Sequence, residues 1–259
     1  MGMVKAFAYG SGSAEVANLL QYNHVDYLGV AYTDEGVMLR QNGITVPIMV
    51  MNADIETFDL LWKYQLEPEL YSRSIILRWI EYCKSQPNPM QAPAVHLKLD
   101  TGMHRLGFVE DDYTWLTQLL SETPSLKVAS VFSHLVGADE GKHNEFSRSQ
   151  YANFIKGAER IEKTLGYSVL KHILNSAGII RFPEYKMDMV RLGIGLYGVE
   201  ATGYYQSHLQ EVSTLKTVIS QIKYLTPGQT VGYSRNGHIE HNTATATIDW
   251  SQLQLSVTG

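Results

Sequence analysis

From Val4 to about Gly198, short apolar runs rich in β-branched side chains alternate with longer stretches whose apolar positions recur at helical spacing. The runs predict eight strands: Met3–Ala6, Tyr27–Tyr32, Pro47–Met51, Glu67–Tyr71, Ala94–Asp100, Val128–His134, His172–Asn175 and Met189–Tyr197. Between them, Ala14–Tyr22, Ser74–Ser85 and Asn144–Leu165 carry helical periodicity. Eight strands in this alternation predict an α/β protein of the (β/α)8 TIM-type barrel class. An open doubly wound sheet fits the same alternation, but no G-x-G-x-x-G follows an early strand. After Gly198 the texture changes. Ser213–Tyr224 alternates apolar and polar residues, Thr226-Pro-Gly-Gln229 reads as a turn, and Thr243–Asp249 is a threonine-rich strand candidate. The reading is therefore a barrel over residues 1–202 and the start of a truncated, β-rich C-terminal domain over 203–259, abbreviated at both ends.

Composition narrows the partners. The 259 residues are 44% hydrophobic, enough for a large core, and carry a formal net charge of −5 without basic runs, which argues against a nucleic-acid surface. No segment reaches the ~18 uninterrupted apolar residues of a membrane span, and the first residues lack the pattern of a secretory signal. One cysteine, Cys83, cannot form an intramolecular disulfide and reads as a buried thiol in a reducing compartment, so a cytoplasmic protein is expected. No metal site is expected.

In a barrel of this kind the chemistry gathers where the strands end. The first strand leads through Lys5 into a loop containing Tyr9, and a lysine so placed can attach to a carbonyl; a solvated lysine beside a loop tyrosine fits equally well. The fifth places Lys98 in an apolar run with Arg105 just beyond. A buried ammonium there needs counter-charge or modification, and an ion pair with Asp100 is one answer. The sixth ends in His134. The seventh and eighth bring Asn175-Ser176 and Arg191-Leu-Gly193-Ile194 to the usual phosphate position of such barrels. A lysine anchor with a phosphate cradle makes pyridoxal 5'-phosphate (PLP) the first cofactor candidate.

VKAFAYGSG (4–12), HLKLDTGMHRLGF (96–108), FSHLVGADE (132–140), NSAGIIRFPE (175–184), VRLGIGLYG (190–198) and VGYSRNG (231–237) resemble, in order, the motifs of bacterial alanine racemases. The resemblance implies a PLP-dependent isomerase that interconverts L- and D-alanine and supplies D-alanine for peptidoglycan. It implies that Lys5 holds PLP and is the base facing D-alanine. Tyr9, Ser176, Gly193 and Ile194 then hold the phosphate, and Arg191 stands beside the pyridine nitrogen. Arg105 faces the substrate carboxylate, and Lys98 matches a lysine that some relatives carry as a carbamate. Tyr233 is the second base, relayed through His134 and contributed by the partner of a homodimer. The family chain continues past residue 259, and Ile248–Gly259 does not match its continuation. Three other readings stay open: a non-catalytic PLP-binding barrel, a fold-related decarboxylase disfavoured by Arg191, and an inactive truncated relative.

Overall fold

The computed structural model describes residues 1–248 and 254–257. Its first unit, Met1–Glu211, is built on one parallel sheet whose seven strands follow chain order. These are β1 (Gly2–Met3), β2 (Leu28–Val30), β3 (Ile48–Val50), β4 (Glu67–Leu70), β5 (Val95–Lys98), β6 (Val128–Phe132) and β7 (Leu170–His172). Strands β2, β3 and β5 are buried throughout, as expected of parallel strands covered by helices. The covering helices follow the strands in turn: α1 (Lys5–Tyr9) and α2 (Ser13–Tyr22), α3 (Thr33–Gln41), α4 (Phe58–Lys63), α5 (Arg73–Ser85), α6 (Tyr113–Glu122), α7 (Asn144–Leu165) and α8 (Ser176–Arg181).

Two of the expected strands take other forms. Met189–Tyr197 is not a strand. Leu192 alone bridges in parallel to Gly2, with Met3 N–H donating to Leu192 O at 3.0 Å and Leu192 N–H to Met1 O at 3.0 Å. Arg191 N–H reaches Leu174 O at 3.0 Å, so this residue pair links the chain after β7 back to β1. Beyond Leu192, the glycines at 193, 195 and 198 favour a 3-10 turn over Ile194–Tyr197. At the other end, the strand expected over Met3–Ala6 stops at Met3. Ala6, Phe7, Ala8 and Tyr9 instead hold φ between 50° and 55°, a left-handed turn.

The core packs between sheet and helices, with Trp79, Phe108 and Phe154 among its largest buried side chains, and Met1, Met3, Met49, Phe132 and Met189 form a buried cluster. Cys83 is part of this packing, and burial pushes its thiol up to about 12, leaving it an unreactive hydrophobe at neutral pH. The unit extends past Thr202 because the following residues fold back on themselves. Glu200 accepts from Thr202 N–H at 2.6 Å and Tyr205 N–H at 3.1 Å, and the Gln206 amide donates to Gly198 O at 2.8 Å.

The second unit, Val212–Gly259, contains antiparallel pairs. The alternating stretch 213–224 forms two strands, β8 (Ser213–Lys216) and β9 (Ile219–Leu225). A turn at Thr226–Gln229, with Gln229 N–H donating to Thr226 O at 3.2 Å, leads to β10 (Thr230–Val231), which pairs with β11 (Gly237–His238). Strand β12 (Thr243–Ile248) pairs with β9, and β13 (Gln254–Val257) with β8. Asp249, the last residue of the expected threonine-rich strand, lies outside the described residues. Among the described residues no helix is long and apolar enough to cross a membrane, and no cluster of ligands suits a metal ion.

Candidate active site

The strand ends of the first unit enclose a cavity of about 540 Å³ lined by Lys5, Tyr9, Lys98, Arg105, His134, Ser176, Arg191, Gly193 and Ile194. Every residue that the sequence assigns to the candidate site is among them except Tyr233. That residue stands on the second unit, in a short 3-10 turn after Gly232 (φ 82°), and its side chain is 100% exposed.

Lys5 opens the left-handed turn α1 and is half-buried. A left-handed helical residue other than glycine costs roughly 1–2 kcal/mol, so four in succession need outside support. Glu35 gives it: its carboxylate accepts Ala6 N–H at 2.6 Å on one oxygen, and Ala31 N–H at 2.6 Å and Tyr32 N–H at 3.1 Å on the other. This bracing ties the turn to the end of β2 and fixes where Lys5 and Tyr9 emerge.

A polar cradle forms opposite. Ser176 Oγ accepts Gly193 N–H at 3.0 Å and Gly195 N–H at 3.3 Å, while Asn175 caps α8 through Gly178 N–H at 2.9 Å. Tyr9 lies over Tyr197, ring centroids 4.7 Å apart, and a Cβ added to Gly193 would meet Tyr9 Oη at 2.9 Å.

At the cavity floor, Arg191 is 3% exposed. Its guanidinium donates to Ser133 O at 2.6 Å, His172 O at 3.3 Å, Ile173 O at 3.2 Å and His172 Nδ1 at 2.6 Å, and it lies 3.3 Å from His134 Nδ1. Arginine has no acceptor, so its bond fixes the tautomer of every imidazole behind it. His172 Nδ1 accepts; its Nε2–H therefore donates to Ser130 Oγ at 3.0 Å. Ser130 in turn donates to His96 Nδ1 at 2.6 Å, and His96 Nε2–H to Glu67 at 2.8 Å. A buried chain of hydrogen bonds thus runs across the sheet with one polarity, from Arg191 to a carboxylate. Burial pushes Arg191 down to about 10, so it stays charged at neutral pH. Burial and then Arg191 push His134 down to about 3, and the same two causes hold His172 well below the usual histidine range. Both are neutral at pH 7.

Lys98 is 3% exposed and pairs with Glu69, not with Asp100: Nζ lies 3.1 Å from Glu69 Oε1. Asp100 is occupied elsewhere, accepting the amides of Gly102, Met103 and His104 at 2.9, 3.0 and 3.0 Å. Reading β4 as an apolar run passes over Glu69. The signal that reveals it is alternation: Glu67 and Glu69 share one face of a strand of this sheet, and that face looks inward. His172, Ser130 and Glu35 carry no such signal, because each is recognisable only from its partner in space.

The chain resembles known proteins along most of its length. Residues 1–201 match the family model described as alanine racemase, N-terminal domain. The alanine racemase 1 of Clostridium acetobutylicum is 32% identical over 96% of this chain and 64% of its own. The solved alanine racemase of Clostridium difficile 630 superposes with a TM-score of 0.72 at 32% identity, over 95% of this chain and 65% of that one. The alanine racemase structure from D-cycloserine-producing Streptomyces lavendulae gives a TM-score of 0.79 at 25% identity, over 95% and 65%. The chain spans about two thirds of the length of these relatives. With the parallel sheet, the left-handed turn at Lys5 and the Ser176–Gly193 cradle in place, the family match over residues 1–201 places the chain in the alanine racemase N-terminal domain family.

Proposed function

We propose that the chain forms the PLP-binding part of an alanine racemase that interconverts L- and D-alanine. The observation that carries this reading is the convergence of Lys5, the Ser176–Gly193–Gly195 cradle and a buried, charged Arg191 on one cavity. The cradle fits a phosphate that backbone amides approach closely. A Cβ at Gly193 would meet Tyr9 Oη at 2.9 Å, so glycine at that position leaves the surface open. Bound there, PLP supplies an electron sink that acidifies the α-proton of an attached amino acid.

Lys5 anchors the cofactor and exchanges the α-proton on the D-alanine side. Tyr233 serves the opposite face, and a phenol does this at neutral pH only where neighbours accept or relieve its proton. His134, neutral in its pocket, is suited to that relay. Tyr9, Ser176, Gly193 and Ile194 hold the phosphate, and Arg105 faces the substrate carboxylate. Arg191 offers donors alone and gives up its proton reluctantly, so with PLP bound it would leave a ring nitrogen held there unprotonated, weaken the electron sink and favour return of the proton to the same carbon over side reactions. In this reading Leu192 stands for the eighth strand of a (β/α)8 barrel over residues 1–202, residues 203–259 begin a second, β-rich domain, and the protein works as a cytoplasmic homodimer supplying D-alanine for peptidoglycan.

Two measurements test it. After incubation with PLP and borohydride, peptide mapping should find the cofactor fixed to Lys5, and deuterium should enter the α-carbon of alanine in heavy water. Attachment without exchange would replace the racemase reading by that of a PLP carrier; attachment at another lysine would remove the proposal.

A further inference from the structure

Glu69 is 0% exposed in an otherwise cationic corner of the cavity. Lys98 sits 3.1 Å away, and Arg105 and Arg191 are both close enough to act on its charge. The cavity has one other acid on its wall, Asp139, and that one is exposed. Lys98 Nζ also lies 5.4 Å from the Phe132 ring centre, whose face favours a cation. We propose that Glu69 supplies from within the barrel the negative charge that Lys98 needs, so that Lys98 remains a free ammonium.

A buried ammonium requires a fixed counter-charge or must be neutralised, and one chemical route to an anion is reaction with carbon dioxide. The neutral amine's lone pair attacks the carbon, a C–N bond forms as one C=O pair moves onto oxygen, and the surplus nitrogen proton passes to solvent. Nothing is oxidised or reduced. Glu69 opposes this route by charge: its carboxylate, 3.1 Å from Nζ, favours the ammonium and would stand beside the new carboxylate, where two adjacent anions would repel. Burial raises Glu69 to about 7 even with Lys98, Arg191 and Arg105 drawing it down, so its negative charge depends on these cationic partners.

The bearing of this assignment on catalysis rests on the proposed function; the charge state of Lys98 does not, and it can be read without cofactor or turnover. Protein equilibrated with ¹³C-bicarbonate is examined by carbon NMR for a carbamate resonance, with Lys98→Met to assign any signal to that lysine. The natural protein should show no Lys98-dependent resonance, and Glu69→Ala, which removes the charge, should gain one. A Lys98-dependent carbamate in the natural protein would overturn the proposal, and so would a folded Glu69→Ala protein that gains none. Should that variant not fold, the natural protein alone still decides between ammonium and carbamate. A failure of the racemase reading would leave both spectra unchanged, so the two failures are distinguishable.

Discussion

At single residues, shape and charge each yield a measurable consequence. At Gly193 a Cβ would stand 2.9 Å from Tyr9 Oη, closer than side-chain carbons come. Gly193→Ala should therefore weaken PLP binding and lower stability by about 1–3 kcal/mol, the range for overpacking. Tyr9→Phe removes the offending oxygen, leaving the ring carbon 3.7 Å from the added methyl. The double variant should recover part of the stability that Gly193→Ala loses, a non-additivity read from urea titrations; simple addition of the two losses would show that Tyr9 is not the obstacle. His134 gives a pH dependence. Its ordinary value of 6.5 applies to the unfolded chain and about 3 to the folded one, so between these the unfolded state binds the extra proton. Stability is then complete above about pH 6.5 and falls on acidification, by about 2 kcal/mol from this group between pH 7 and 5. His172 pulls in the same direction and Glu69, shifted upward, in the opposite one. Comparison with His134→Asn isolates the one group: the variant should lose less stability over that interval, and equal losses would mean that His134 is protonated in the folded protein.

Among elements, the left-handed turn α1 is where local sequence and tertiary structure part company. Lys-Ala-Phe-Ala-Tyr is a good continuation of a strand or a right-handed helix, and the expected strand over Met3–Ala6 follows from that preference. Glu35, 29 residues from Ala6, decides otherwise through a carboxylate that a linear reading treats as an ordinary acid in a helix first turn. Glu35→Ala should cost about 2–3 kcal/mol, since it leaves several amides without a charged acceptor and the turn without its brace. PLP affinity should fall with stability because Lys5 and Tyr9 both depend on this turn; affinity unchanged in the folded variant would show that the turn holds itself. Helices α2, α5 and α7 and the six strands from β2 to β7 were legible to within a few residues because each is announced by its own periodicity. The eighth strand was not, since a run containing Gly193, Gly195 and Gly198 has the apolar content of a strand but not the backbone preference. The candidate site divided in the same way: residues at strand ends were visible from position and Glu69 from its alternation with Glu67, whereas Glu35, Ser130 and His172 acquire meaning only when β2 to β7 are laid side by side.

On the scale of the whole molecule, the residues proposed to exchange the α-proton stand on two unlike units. The first holds Lys5 in a deep cavity over a large core, and the second holds Tyr233 on a tight turn, wholly exposed, among strands whose apolar side chains such as Ile222 (53% exposed) and Tyr224 (84%) are themselves uncovered. A reaction that uses both Lys5 and Tyr233 needs a second unit delivered to a first, either its own or a partner's, and these alternatives differ in a mixing experiment. Lys5→Ala and Tyr233→Phe should each abolish racemisation alone, the first by losing the anchor, the second by losing one of the two proton-transfer groups. Unfolded together and refolded at equal concentration, they form hybrid dimers as well as the parent ones. If Tyr233 crosses to the partner, one site of each hybrid combines the intact Lys5 of one chain with the intact Tyr233 of the other, and about a quarter of all sites should be active. If Tyr233 serves its own chain, every site carries one lesion and the mixture stays as inactive as its components. Before mixing, Tyr233→Phe should still exchange the α-proton of D-alanine through Lys5, while its exchange on L-alanine falls by roughly 10²–10⁴-fold, the usual contribution of a positioned acid-base group. Recovery of racemisation on mixing assigns Tyr233 to the partner; a silent mixture of two folded, PLP-competent variants assigns it to its own chain and removes the dimer from the mechanism.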